Sequence, residues 1–180
     1  RVRIVAGQWR GRRLKRPGSV KGIRPTSDRL REALFSILGQ RLVDGVFVDL
    51  YAGTGAVGLE AGSRGAAQVV LVENNRSAQE ICRENIARCR ADAIVELRCV
   101  SATSPGTLPV ADVVFADPPY AQSAQTSFDA LTNVVLAETG CWCLELASDA
   151  PKPEVLVGVA VVLDRVYGGS RLIIYERAKS

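Results

Sequence analysis

Histidine and methionine are both absent from the 180 residues, and only 6 % of the chain is aromatic. Without histidine the commonest general base and the commonest metal ligand are gone. The five cysteines, Cys82, Cys89, Cys99, Cys141 and Cys143, are odd in number and include no C-x-x-C pair. That pattern argues against both a structural zinc site and a disulfide framework. They are expected to be reduced, small core residues, with Cys82 and Cys89 on one helix face. No apolar run approaches a membrane span, and no secretory signal is visible. The expectation is a monomeric cytoplasmic protein that avoids membranes and binds no metal. Because the chain begins at Arg1 and lacks methionine, its natural start is expected to lie upstream. Whatever chemistry it performs must run on carboxylates, positioning or a bound cofactor.

What is present is a globular composition, 47 % hydrophobic, with a lopsided charge. Residues 1–31 carry eleven Lys/Arg against the single acid Asp28, a net of +10, and residues 32–180 carry a net of −6. A basic arm on an acidic body is the footprint of a phosphate-backbone binder. Val2, Ile4, Val5, Trp9 and Leu14 interrupt the arm, with Gly7 and Gly11 as turn points. This pattern predicts a small β-hairpin extension over 1–22 ahead of a main domain over 23–180.

After Pro25, Thr26 or Ser27 can cap a helix whose apolar positions are Leu30, Ala33, Leu34, Ile37 and Leu38. It should end near Gly39–Leu42, with Arg29 and Arg31 off its apolar face. Strands are predicted at Val46–Leu50, Val69–Val72, Ile94–Val100, Val113–Ala116 and Cys141–Leu146. Helices are predicted after Gly58 and over 75–91 and 125–138. Pro105, Gly106 and Pro109 exclude a helix from 101–111. Val155–Leu163 and Leu172–Tyr175 should close the sheet as an antiparallel hairpin around Gly168-Gly169. The alternation describes an α/β, Rossmann-like doubly wound sheet.

Two motifs carry chemistry. The first, Asp49-Leu50-Tyr51-Ala52-Gly53-Thr54-Gly55-Ala56-Val57-Gly58, leaves the first strand and enters a helix. Its glycines let a ligand approach the main chain. Glu73, followed by Asn74, ends the next strand, where an acid can accept both ribose hydroxyls of a nucleoside. The spacing also fits a dinucleotide fingerprint and thus a nicotinamide cofactor. Asp49 would sit badly beside a pyrophosphate, however, and well beside the sulfonium and ammonium of S-adenosylmethionine.

The second motif, Asp117-Pro118-Pro119-Tyr120, leaves the fourth strand, so it should face the first across the switch point of the sheet. The prolines fix the backbone and leave carbonyls to face a substrate. Asp117 can accept from an exocyclic amine, and Tyr120 offers a face on which a base can stack, a contact of roughly 1–3 kcal/mol. Methyl transfer to such an amine needs orientation and electrostatics more than a histidine. The proton acceptor, Asp117 or water, stays open, as does guanine against adenine.

An Asp-Pro-Pro-Tyr after strand four, with an Asp-x-x-x-Gly-x-Gly loop after strand one, resembles class I amino-group methyltransferases. Val5-Ala6-Gly7, Gly11-Arg12-Arg13-Leu14, Arg24-Pro25-Thr26 and Asp28-Arg29-Leu30-Arg31-Glu32, taken with the glycine loop, resemble the RsmD family of bacterial 16S rRNA guanine-N2 methyltransferases. The likeness covers nearly the whole chain and is most specific over 5–75 and 112–120. It implies S-adenosylmethionine as cofactor and 16S rRNA of the small ribosomal subunit as partner. It implies cofactor contacts from Asp49, Tyr51, Ala52, Gly53, Thr54, Gly55, Gly58, Glu73, Asn74, Ser101 and Ala102. The catalytic set would be Asp117, Pro118, Pro119 and Tyr120. RNA contacts would come from Arg10, Arg12, Arg13, Lys15, Arg16, Arg24, Thr26, Arg29 and Arg31. Three positions depart from the pattern. Ser101 and Ala102 stand where the family has an acid, and Gly62 replaces a large apolar residue at a helix-propensity cost of about 1 kcal/mol. The rival readings are a DNA adenine-N6 methyltransferase, a protein-glutamine methyltransferase and a non-catalytic RNA-binding module on the same fold.

Overall fold

The computed structural model describes residues 2–18 and 27–179. Seven strands form one sheet in the order β3-β2-β1-β4-β5-β7-β6. They are β1 (Val46–Asp49), β2 (Gln68–Val72), β3 (Val95–Arg98), β4 (Ala111–Ala116), β5 (Leu136–Ala147), β6 (Val159–Tyr167) and β7 (Ser170–Arg177). Strands β1 to β5 run parallel, and β7 enters antiparallel between β5 and β6. The parallel strands are apolar on both faces, as the fold requires when helices cover both sides.

The helices are α1 (Asp28–Leu38), α2 (Ala56–Ser63), α3 (Arg76–Cys89) and α4 (Ala124–Thr132), with a 3-10 turn at Gly39–Leu42. One core packs α1, α2 and α3 on the face of Phe47, Val113, Phe115, Cys141 and Cys143. The other packs α4 and Ala102 on the face of Val48, Val114, Ala116, Trp142 and Leu144. Ser27 caps α1 through Leu30 N at 3.2 Å, and Asn75 caps α3 through Ala78 N at 3.0 Å. Residues 101–110 form turns and loop, as the prolines demand. Four cysteines are buried and Cys99 is exposed.

Two predicted boundaries are corrected. The helix expected over 125–138 ends at Thr132, because Leu136 already pairs with Ala111 and draws residues 136–140 into β5. The strand expected from Val155 starts at Val159, after Gly158 turns the chain at φ +84°. The closing pair Tyr167–Ser170 of the tight turn sets how far β6 reaches, and its last partner, Arg177, faces Val159.

Among the described residues the basic arm is a hairpin-like loop with one antiparallel bridge, Arg3–Arg13. Val2, Ile4, Trp9 and Leu14 are buried in the core shared with α2 and α3. Glu60, fully buried on α2, accepts from the amides of Val5 and Ala6 at 2.8 and 3.0 Å. Ser63 Oγ accepts from Trp9 N and donates to Ala6 O. The departure at Gly62 has a packing cause: an added Cβ would stand 3.0 Å from the Trp9 ring. Gly62 makes room for the indole that anchors the arm. The boundary expected between residues 22 and 23 lies outside the described residues.

Candidate active site

The switch point falls between β1 and β4, whose neighbours β2 and β5 lie on opposite sides. A cleft of about 890 Å³ opens there, at the carboxyl edge of the parallel strands. It is lined by both motifs: Asp49, Tyr51, Ala52, Gly53 and Thr54 on one side, Asp117, Pro118, Pro119 and Tyr120 on the other. Glu73, Asn74, Ser101 and Ala102 line it as well.

Within the glycine loop, Gly53 and Gly55 take φ of +55° and +78°, the region that favours glycine. Gly55 and Gly58 do not line the cleft. A Cβ on Gly55 would lie 3.1 Å from Leu71 and 3.2 Å from Cys82 Sγ, and one on Gly58 would lie 2.2 Å from Leu71. Both glycines let α2 press against β2 and α3. The loop is held on three sides. Gly53 N donates to Glu73 Oε2 at 2.8 Å, Cys82 Sγ donates to Gly53 O at 3.1 Å, and Asn85 Nδ2 donates to Thr54 O at 2.8 Å. Burial pushes the Cys82 thiol well up, so it stays protonated and donating.

Asp49 is the electrostatic centre. It is 1 % exposed, and neither carboxylate oxygen has a hydrogen-bond partner. Burial pushes its pKa up to about 7; the charge of Glu73 adds to the rise, while the nearby amides of Gly58 and Tyr51 oppose it without completing hydrogen bonds. A buried, unpartnered carboxylate in a cleft calls for a cation. Glu73 Oε1 also accepts from Asn75 N at 2.7 Å, yet each of its oxygens keeps a lone pair for a ribose hydroxyl. This donor set fits S-adenosylmethionine, which pairs a cationic end with a nucleoside. Ser101, where the resemblance leads to an acid being expected, presents a hydroxyl bonded to Thr103 Oγ1 at 2.9 Å.

Across the cleft, Tyr120 lies at the rim and is 67 % exposed. Gln122 carries no signal in the sequence but has a clear place in the site. Its Nε2 donates to the Tyr51 hydroxyl and, at 3.1 Å, to Ser127 Oγ, tying the Asp-Pro-Pro-Tyr segment and α4 to the glycine loop. Glu145 at the end of β5, equally unmarked in the sequence, lines the same cleft.

The cations expected to meet RNA divide into groups. Arg10, Arg13, Arg16 and Arg29 are exposed. Arg12 donates to the Cys89 carbonyl and Lys15 pairs with Glu84, so both also fasten the arm to α3. Arg31, expected off the apolar face, is instead fully buried. Its Nη2 donates to Arg3 O at 2.9 Å and Asp28 Oδ1 at 2.8 Å, and its Nε lies 4.0 Å from buried Glu60. Arg24 and Thr26 lie outside the described residues.

The strand order with its antiparallel last insertion, and a carboxyl-edge cleft holding these two motifs, define a class I methyltransferase fold. The chain belongs to the family described as conserved hypothetical protein 95, whose model matches residues 2–176. It is 42 % identical over 121 residues to ribosomal RNA small subunit methyltransferase D of Escherichia coli K12. That match takes in 66 % of this chain and 60 % of the relative's length. It is 26 % identical over 187 residues to YlbH of Bacillus subtilis, provisionally named an rRNA methyltransferase, covering 98 % of this chain and 99 % of that one. Among solved structures, yhhF of Escherichia coli, provisionally named a methyltransferase, superposes with a TM-score of 0.85 at 31 % identity over 98 % of this chain and 97 % of that one.

Proposed function

We propose that the chain transfers a methyl group from S-adenosylmethionine to the exocyclic N2 of a guanine in 16S rRNA of the small ribosomal subunit. The observation that carries this reading is the unpartnered Asp49 carboxylate facing Asp117–Tyr120 across one cleft, in a chain similar to an enzyme named for the small-subunit RNA. The cofactor, once bound, supplies an already activated methyl group, so the protein has to orient rather than activate.

Asp49 holds the cationic end and Glu73 the ribose hydroxyls. Asp117 accepts a hydrogen bond from the amine, which favours charge building on the attacking nitrogen, whose proton then passes to Asp117 or to water. Pro118 and Pro119 have no main-chain N–H, so they add no donor of their own beside Asp117. Tyr120 stacks on the base from the open rim. A base within a paired stem would have to leave the stack to reach this depth.

The test is incubation of the protein with labelled S-adenosylmethionine and small subunits lacking the modification, followed by nucleoside analysis. N2-methylguanosine is expected, and Asp117→Ala should abolish it while leaving cofactor affinity nearly unchanged. N6-methyladenosine as the product, or a fully active Asp117→Ala, would overturn the reading.

A further inference from the structure

The Asp-Pro-Pro-Tyr segment reads an amine on a flat ring and nothing more, so it does not choose between guanine and adenine. The sheet supplies a residue that can. In a parallel pair, residues in register face the same side. Asp49 is in register with Phe115, Phe115 with Cys143, and Ala116 with Leu144. Continued one step further, past the end of β4, the same register leads from Asp117 to Glu145. Leu144 and Leu146 pack into the α4 face, so alternation sends Glu145 to the opposite face, with Phe115 and Cys143. Glu145 is 5 % exposed and lines the cleft. Asp49 at the end of β1, Asp117 just past the end of β4 and Glu145 on β5 thus follow one another along the carboxyl edge of three neighbouring strands, and all three line the cleft.

The first two carboxylates have work in the proposed reaction, with the cofactor cation and with the reacting amine. Glu145 follows Asp117 in the strand order, on the side away from Asp49 and β1. The chemistry of the purine edge says what it would meet there. Guanine presents its N2 amine next to N1–H, two donors side by side. Adenine presents its N6 amine next to a bare N1, a donor beside a lone pair. A carboxylate only accepts hydrogen bonds. Beside the amine acceptor Asp117 it matches N1–H of guanine and repels N1 of adenine.

We propose that Glu145 is the specificity-determining residue of the site, accepting the N1–H of the target guanine while Asp117 accepts from its N2 amine. This rests on the guanine-N2 reading above. A single well-made interaction of this kind discriminates by roughly tenfold to a hundredfold.

The test replaces the target guanine of reconstituted small subunits with 2-aminopurine, which keeps the N2 amine but carries a lone pair at N1. The wild-type protein should methylate guanine with a kcat/KM about tenfold to a hundredfold above that for 2-aminopurine. Glu145→Gln, whose amide can donate to a bare N1, should bring the ratio near one, as should Glu145→Ala, with cofactor affinity retained. Equal wild-type rates on the two bases overturn the assignment. So do variants that bind cofactor and keep the wild-type ratio, or that lose both substrates alike, since a purely structural role would do the same. Should the variants fail to bind cofactor, the wild-type ratio decides. If the wild-type protein binds cofactor but forms no N2-methylguanosine, it is the guanine-N2 reading that falls, and that result is distinct from the others.

Discussion

At the scale of single residues, Asp49 is the position where stability and function oppose each other. Its carboxylate is buried without a donor, and burial raises its pKa to about 7 from an ordinary value of 3.8. A carboxyl that holds its proton more tightly when folded stabilises the fold less as pH rises between those two values. The penalty is absent below about pH 4 and complete above about pH 7. Asp49→Asn removes the charge at nearly constant shape. It should therefore stabilise the ligand-free protein by up to about 4 kcal/mol above pH 7, from a shift of about three units at 1.36 kcal/mol each, with no gain near pH 4. Urea denaturation at pH 4 and pH 8 measures both ends. The same variant should weaken S-adenosylmethionine binding at least tenfold by calorimetry. A variant whose gain over wild type is no larger at pH 8 than at pH 4, or that binds cofactor normally, would show that Asp49 has a partner inside the fold.

At the scale of elements, α3 joins the two functional ends of the molecule through Asn85. This side chain is fully buried; it donates to Thr54 O at 2.8 Å and Lys15 O at 3.2 Å and accepts from Lys15 N at 2.6 Å. One amide therefore holds both the glycine loop and the basic arm. Asn85→Ala leaves three backbone groups without these partners and should cost roughly 2–4 kcal/mol, seen as a lower denaturation midpoint. Cofactor affinity should fall severalfold in the same variant, and the arm should become sensitive to protease. Loss of stability with unchanged cofactor affinity would mean that the arm and the loop are held independently. Nothing in the local sequence marks Asn85, which lies mid-helix among charged residues. The strands and the two motifs are legible because their signals are local: β-branched runs, glycines that need positive φ, and prolines that follow a strand directly. What is illegible depends on distant partners. Arg31 reads as an exposed cation until Glu60, from another helix, is brought beside it. Glu145 is one polar letter in an apolar run, and only the register with β4 gives it meaning. The end of α4 is obscured because Val134, Val135 and Leu136 suit a helix face or a strand equally well.

At the scale of the whole molecule, the charge asymmetry of +10 against −6 survives folding but is put to two uses. Arg12, Lys15 and Arg31 fasten the arm and α1 to the body. Arg10, Arg13 and Arg16 remain exposed along the arm, and Arg13 and Arg3 border a small recess with Gly11 and Asp28. Deleting the arm is therefore a poor test of RNA binding, because it would also strip Val2, Ile4, Trp9 and Leu14 from the core. Neutralising the exposed cations separates the two uses. The triple substitution Arg10→Gln, Arg13→Gln, Arg16→Gln removes three candidate phosphate partners and none of the buried apolar anchors. Each cation withdrawn from a phosphate lowers the slope of log affinity against log salt by about 0.7–0.9. The slope for small-subunit RNA should thus fall by about two to three, with the greatest weakening at low salt. Cofactor affinity and the denaturation midpoint should stay near the wild-type values, since neither the cleft nor the anchors are touched. An unchanged salt slope would place the RNA elsewhere on the molecule and leave the exposed arginines as solvated charge.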